Sequence, residues 1–187
     1  MKSKYRKGDY KYLSEKRRRE LIKTFLMFGI SAMVFFLGLL STKTKSNYLT
    51  IVAVLGCLPA AKSAVSAIMY LRIKECDSDF AAIMEERFPS LGSFHLYFTS
   101  YHKNFATSHI FVKALTIIAY TENKELDTTA FEEHLQTVLS RDNIKGCHVK
   151  IFKDREKYLQ RMEQLANLEN QREMDERIKS TLFAVSL

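Results

Sequence analysis

Two apolar stretches within the first 71 residues restrict this chain more than any other feature. Residues 24–41 carry no charged side chain, and residues 48–71 carry one, Lys62. As a helix the second stretch would be about 36 Å long, whereas a bilayer hydrocarbon core is about 30 Å thick. The segment STKTKSN between them is long enough only for a turn. The chain is therefore predicted to begin with a two-span transmembrane helical hairpin.

The basic residues of the chain are concentrated in and before this hairpin. The formal net charge is +8, but residues 1–71 hold 13 Lys and Arg against 3 Asp and Glu, whereas residues 72–187 hold 16 against 18. A nucleic-acid-binding domain carries a basic patch on its own folded surface. Because the C-terminal part of the chain is slightly acidic, we expect no nucleic-acid partner.

The distribution of lysine and arginine also predicts an orientation in the bilayer. Ten of these residues precede the first span, and only Lys43 and Lys45 lie between the spans. Since loops rich in lysine and arginine stay in the cytoplasm, the basic segment 1–23 is predicted to be cytoplasmic. Two spans, about 24–41 and 48–71, return the chain to the same side. Residues 72–187 are then the cytoplasmic domain of an integral protein of the cell membrane, with both termini cytoplasmic.

Lys62 is the single charge in the second span, and two interpretations of it stay open. A charge near the middle of a bilayer is costly and indicates a functional site by default. In that case Lys62 pairs with a carboxylate or a carbonyl group of another chain. Lys62 also lies nine residues before Leu71, so its aliphatic stem could instead carry the ammonium group to the cytoplasmic interface.

The second span also carries small residues at spacings that favour close helix packing. Small residues four apart let two helix backbones approach each other in lipid, and Pro59 is expected to bend the helix. The small face could contact the first span, through Gly29, Ala32 or Gly38, or a helix of another molecule, and both possibilities stay open. The predicted helix-contact residues are Lys62, Gly56, Ala60, Ser63, Ala64 and Ala67.

Residues 72–187 predict a small α/β or α+β domain with the element order α-β-β-α-β-α. A first helix starts at residues 77–79 and ends at Pro89. Residues 93–101 and 109–120 are each predicted to form one strand, and the two strands form a hairpin.

A second helix, a short strand at residues 148–152 and a terminal helix complete the predicted domain. Helical spacing continues from Arg155 to Leu182, which predicts one long helix. Its end is apolar, whereas solvated chain termini are usually polar. We therefore expect its last part to bind a protein partner, through the candidate residues Met174, Ile178, Leu182 and Phe183.

The residues of this domain do not form a complete catalytic or metal-binding motif. None of the five histidines stands at metal-ligand spacing from another, and no CxxC pair accompanies them. Cys147 and His148 are neighbours that would face opposite sides of a strand, which is a poor arrangement for a nucleophile and its base. Three widely spaced cysteines also fit a reducing compartment. The sequence predicts no catalytic residue, no metal and no cofactor.

The order β-β-α-β-α loosely resembles the core of the restriction-endonuclease-like superfamily. That resemblance implies an acidic residue on one strand and an acid-x-Lys pair on the next, which together hold a metal ion. Here Phe111 occupies the position two residues before Lys113 at which such an acid would be needed. Glu122 and Lys124 form an acid-x-Lys pair, but this pair follows the apolar run. A membrane-tethered hydrolase or a degenerate domain of this kind is therefore one alternative function. A small transport component, with Lys62 lining its pathway, is another.

The leading hypothesis is a membrane-anchored, non-enzymatic protein whose partners are the lipid bilayer and another protein or a second copy of the chain. The cytoplasmic domain would bind this partner, and the protein would act as a subunit, adaptor or regulator of a membrane complex. The hypothesis depends on the small-faced second span with Lys62, on the apolar end of the terminal helix and on the lack of catalytic groups.

Overall fold

The computed structural model of the 187-residue chain describes residues 5–42, 48–100, 103–168 and 172–187. The chain divides into two compact units. Lys11–Ile73 forms the first unit, and Lys74–Leu187 together with Arg6–Tyr10 forms the second. The predicted general architecture is confirmed: two long apolar helices are followed by a small α/β region with a mixed sheet and a final helix.

The first unit consists of helix α1 (Tyr12–Thr42) and helix α2 (Tyr48–Arg72). Both helices are long and apolar enough to cross a membrane. Helix α1 begins twelve residues before the predicted span, because the Glu, Lys and Arg side chains of residues 15–20 are good helix formers. The predicted turn with Lys43 and Lys45 lies outside the described residues.

The second unit contains a mixed sheet, a small second sheet and four helices. Its strands are β1 (Ser93–Phe94), β2 (Tyr97–Thr99), β3 (Asn104–Ala106), β4 (His109–Lys113), β5 (Thr116–Tyr120) and β6 (His148–Phe152). Its helices are α3 (Ser78–Arg87), α4 (Thr128–Arg141), α5 (Arg155–Ala166) and α6 (Arg172–Val185). The main sheet has the order β1-β4-β5-β6, in which only β5 and β6 are parallel, and β2 pairs with β3 in the second sheet.

Helices cover both faces of the main sheet. Successive side chains of a strand point to opposite faces, so Ile117 and Ala119 of β5 belong to one apolar core and Ile118 and Tyr120 to the other. The first core includes Phe131, Leu135, Ile178 and Leu182 from α4 and α6. The second includes Phe80, Met84, Tyr158 and Met162 from α3 and α5. The domain is thus a three-layer α/β/α arrangement.

The predicted strand at residues 109–120 is wrong, because this segment forms the β4–β5 hairpin. The chain reverses at Ala114 and Leu115, whose φ angles are +49° and +57°. Such turns usually contain Gly, Asn or Asp, and this one contains none of them. The turn is instead held by Asp175 of α6, which is 3% exposed and accepts hydrogen bonds from the N–H groups of Ala114 and Leu115 at 3.2 and 3.4 Å.

Two further elements differ from the prediction. The predicted strand at residues 93–101 is interrupted at His95, whose φ is +54°, so β1 pairs with β4 whereas β2 pairs with β3. The predicted long terminal helix is two helices, since α5 ends at Ala166 and α6 begins at Arg172. Helix α6 then packs on the sheet as a separate element, because its apolar face completes the core that contains Phe131.

Removing the Asp175 carboxylate should destabilise the second unit. We expect Asp175→Ala to lower the free energy of unfolding by about 1–3 kcal/mol, because two partly buried N–H groups at a turn of unfavourable φ lose their acceptor. Urea unfolding of the full chain in detergent, followed by pulse proteolysis, measures this loss. The control is Glu176→Ala, at an exposed neighbouring position, which should change stability by less than about 0.5 kcal/mol. Equal effects of the two substitutions would contradict this role for Asp175.

Candidate functional site

The contact between α1 and α2 is built from small side chains. On α2 the buried residues are Ala53, Ala60, Ser63 and Ala67, together with Tyr70 near the C-terminal end of the helix. A Cβ atom added to Gly56 would lie 2.8 Å from the Oγ of Ser31, so the two helices approach each other closely at this point. The hydroxyl groups of Thr24 and Ser63 form a hydrogen bond of 3.0 Å between the helices. The small face therefore packs against the first helix of the same chain.

The structure separates the predicted helix-contact residues into two groups. Gly56, Ala60, Ser63 and Ala67 lie in or beside the contact with α1, and Ala64 is half-buried at its margin. Lys62 is exposed and faces away from this contact. Of the set, Lys62 is the residue with an exposed side chain.

Three interhelical contacts define the register of the hairpin and thereby the level of Lys62. Arg17 donates to the carbonyl oxygen of Tyr70 at 3.3 Å, Thr24 meets Ser63, and Ser31 meets Gly56. Successive contacts are seven residues further along α1 and seven residues earlier along α2, as expected for antiparallel helices in a constant register. Lys62 therefore lies level with the point where the charged part of α1 ends, at Lys23, and its uncharged part begins.

The outer surface of the hairpin is apolar beyond this level. The large side chains with the greatest exposure there include Phe25 at 85%, Leu40 at 75%, Leu58 at 68% and Met33 at 65%. This distribution is the reverse of a water-soluble helix pair, in which large apolar residues fill the contact and polar residues face out. Small and hydroxyl-bearing residues inside with large apolar residues outside are typical of helices packed in lipid.

The charged part of α1 also stabilises the C-terminal end of α2. The guanidinium group of Arg17 donates to the carbonyl oxygens of Tyr70 and Ile73, at 3.3 and 2.7 Å. These carbonyl groups lie at the end of a helix, where a positive charge is favourable. Lys16 pairs with Glu20 at 3.3 Å. The basic segment thus has a structural role in addition to its net charge.

The residues of the second unit that could do chemistry are mostly engaged by its fold. The ring of His109 is fully buried, and its Nδ1 lies 2.7 Å from the hydroxyl group of Tyr158. Burial lowers the pKa of His109 to about 3, so the ring is neutral at physiological pH. His95 Nε2 accepts a hydrogen bond from the backbone N–H of Cys76 at 2.9 Å. Another of the five histidines, His102, lies outside the described residues.

The thiol groups of this unit are not activated. Burial, assisted by the charge of Glu122, raises the pKa of Cys76 to about 12. Burial also raises the pKa of Cys147, and the charge of Asp175 acts in the same direction. Because the thiolate is the nucleophilic form, both residues stay protonated and unreactive near neutral pH.

The acid-x-Lys pair Glu122 and Lys124 has structural contacts. Glu122 accepts a hydrogen bond from the backbone N–H of Asp77 at 3.0 Å, and the backbone carbonyl of Lys124 accepts one from Lys153 at 2.7 Å. Within the described ranges, no group of three His, Cys, Asp or Glu residues is placed to hold a metal ion.

The predicted partner-binding residues of the terminal helix differ in exposure. Ile178 and Leu182 are buried at 0% and 1% exposure in the core of the domain, Phe183 is half-buried, and Met174 is 37% exposed. The end of the chain is also held, since Lys7 donates to the carbonyl oxygens of Phe183 and Ser186, both at 2.7 Å. The apolar pattern that suggested a partner thus belongs largely to the protein's own core.

The prediction from sequence omitted the residues of α1 that define the hairpin. Arg17, Thr24 and Ser31 are polar and stand seven residues apart, which places them on one helix face. Gly56, Ser63 and Tyr70 repeat the same spacing on α2. This shared period is the signal in the sequence that could have given the register.

Comparison of the chain with protein-family models, curated proteins and solved structures finds no match.

Proposed function

We propose that this protein is an integral membrane protein in which the α1–α2 hairpin anchors a non-enzymatic α/β domain that binds a protein partner. It acts as a subunit, adaptor or regulator of a complex in the cell membrane. The observation that carries the proposal is the reversed polarity of the hairpin, in which small residues fill the contact between the helices and large apolar side chains face outward. Such an outward-facing apolar surface is favourable in a lipid environment.

The register of the hairpin supports a particular position in the bilayer. The cytoplasmic boundary lies at the level of Lys23, Thr24 and Ser63, where charged residues give way to apolar ones on α1. Lys62 then lies one residue inside this boundary, and its stem carries the ammonium group to the interface. The segment of α2 after Ser63 continues beside the basic part of α1, outside the hydrocarbon core.

The contacts of the α/β domain support a binding function rather than catalysis. Its buried histidine binds a tyrosine hydroxyl, its buried aspartate holds a turn, and its thiol groups have raised pKa values. Such groups stabilise a scaffold. Of the four candidate partner-binding residues on α6, the exposed Met174 and the half-buried Phe183 remain, because Ile178 and Leu182 lie in the core.

Membrane insertion and topology can be tested with single-cysteine variants of a cysteine-free chain. A cysteine at Lys43 should react with an impermeant maleimide on intact cells, whereas one at Ser180 should react only after permeabilisation. The chain should also stay in the membrane fraction after alkaline extraction. Release from the membrane by alkali, or labelling of Ser180→Cys on intact cells, would overturn the proposed anchoring or orientation.

We expect Lys62→Leu to insert and accumulate like the unchanged chain, because the charge lies at the interface and not in the hydrocarbon core. The matched variant Leu55→Lys places a lysine about 10 Å deeper on the same helix. It should lose roughly 2.5–3.5 kcal/mol of insertion free energy. The fraction of each chain retained after alkaline extraction measures the difference. Poor accumulation of Lys62→Leu would indicate a buried partner for this lysine instead.

The partner function requires a separate test. The tagged full chain is purified from its native cells in a mild detergent, and the stoichiometry of co-eluting proteins is determined. A stoichiometric membrane protein that is lost in Met174→Glu but retained in Met174→Leu would support binding through α6. A homogeneous chain without a companion, at a mass of one or more copies, would exclude the subunit role and leave at most self-association.

A further inference from the structure

Two lysines lie on the same side of the hairpin at nearly the same level. Thr24 and Ser63 face each other across the contact between the helices. Lys23 precedes Thr24 by one residue, and Lys62 precedes Ser63 by one residue. Because the two helices are antiparallel, residues one position before a facing pair fall on the same side of the pair. Lys23 and Lys62 therefore lie on the same side of the hairpin, outside the contact between α1 and α2.

The helices are close enough for these two side chains to serve one ligand. Helices that pack through small residues such as Gly56, Ala60 and Ser63 have axes roughly 8 Å apart. Two flexible lysine stems can bring their ammonium groups together over such a distance. Both residues are exposed, and their ammonium groups have no side-chain partner within the described ranges. The nearest acid on this side of α1, Glu20, is already paired with Lys16.

The chemistry around this pair selects an anionic ligand with an apolar part. Two unpaired ammonium groups attract a phosphate, whereas a second copy of the hairpin would bring two more lysines and repel the first pair. Directly beyond the lysines the surface is apolar, beginning with Phe25 and Leu58. A phosphate joined to acyl chains matches this sequence of charge and apolar surface.

We propose that Lys23 and Lys62 hold the headgroup phosphate of an anionic glycerophospholipid on this side of the hairpin. The inference depends on the proposed membrane insertion of the hairpin and adds a specific lipid partner to it. The acyl chains of the bound lipid lie along the apolar outer surface of the helices. Its phosphate lies at the level of Lys23, where the headgroups of the cytoplasmic leaflet are located.

The test uses the purified full chain in a neutral detergent. Bound lipid is counted by native mass spectrometry during titration with phosphatidylglycerol and, separately, with phosphatidylcholine. The double variant Lys23→Gln, Lys62→Gln removes the proposed site. The matched control Arg18→Gln, Arg72→Gln removes two exposed and unpaired cations from other sides of the same hairpin.

We expect the unchanged chain to prefer phosphatidylglycerol over phosphatidylcholine. Losing each lysine should weaken phosphatidylglycerol binding roughly fivefold, and losing both should weaken it about 25-fold. The affinity of the arginine control for phosphatidylglycerol should stay within about twofold of that of the unchanged chain. Salt strongly screens a general electrostatic attraction, whereas it screens the close contacts of a bound phosphate much less. Stepwise saturation at one phosphatidylglycerol per chain would support a single site.

Three results would overturn the inference. Equal losses in the lysine and arginine variants would show general attraction of anionic lipid and no site. Competition by soluble glycerol phosphate at the affinity of the lipid would show a site for phosphate alone. Release of the chain from the membrane by alkali would contradict both the proposed insertion and the lipid site. Unaltered lipid binding by the lysine variant of an inserted chain would contradict the lipid site only.

Discussion

Gly92→Ala should destabilise the α/β domain by about 3 kcal/mol or more, or prevent its folding, because two unfavourable effects combine at this position. Gly92 has a φ of +84°, a conformation that residues with a Cβ atom rarely adopt. The added Cβ would also overlap the buried ring of His109 and lie 2.6 Å from the carbonyl oxygen of Ile110. Neither the strand backbone nor the ring, which contacts Tyr158, can move without disturbing the core.

Gly146 provides a matched control for the backbone effect. Its φ is +77°, and a Cβ atom added there would meet nothing within 4 Å. Gly146→Ala should therefore cost only about 1 kcal/mol, from the backbone conformation alone. Urea unfolding of the full chain in detergent, with pulse proteolysis as the readout, compares the two variants. Equal losses of unfolding free energy in the two variants would show that the close approach of Gly92 to His109 does not limit the stability of the domain.

The parts of the fold that were predicted correctly are those determined by nearby residues. Helices α1 and α2 follow from long apolar runs, and α3 begins where Asp77 supplies an N-cap oxygen to the N–H of Asp79. The turn at Ala114 and Leu115 lacks such a local signal. Its acceptor is Asp175, about sixty residues later in the chain, so the β4–β5 hairpin could not be predicted from its own segment.

The same distinction between local and distant information applies to the candidate site. The sequence shows that Lys62 stands among apolar residues, but its depth depends on which residue of α1 lies opposite. The hydrogen bond between Thr24 and Ser63 gives the register of the two helices, and the proposed depth of Lys62 depends on that register. The apolar spacing of Ile178 and Leu182 is likewise the same whether the helix covers its own sheet or a partner, and only the tertiary structure distinguishes the two.

The α/β domain should lose stability in mildly acidic solution because of His109. Burial lowers the pKa of this histidine to about 3, whereas an unfolded chain has the ordinary value of 6.5. Between these values the unfolded state binds a proton that the folded state does not, so stability is complete above pH 6.5 and falls as the pH decreases towards 3. We expect a loss of about 2.5 kcal/mol between pH 7.5 and pH 4.5.

The variant His109→Gln separates this effect from other titrating groups. Glutamine can still hydrogen-bond to the hydroxyl group of Tyr158 but does not titrate, so most of the decrease between pH 6.5 and pH 4.5 should disappear, although the variant is less stable throughout. His134, whose pKa is lowered by partial burial, contributes a loss in the same direction. Asp127 has a pKa below its usual 3.8, through the backbone N–H of Ala130 and then Lys103. Its contribution is therefore lost only below pH 3.8, outside the range from about pH 7.5 to pH 4.5 over which the variants are compared. An unchanged pH dependence in His109→Gln would show that this buried histidine does not limit the stability of the domain in acid.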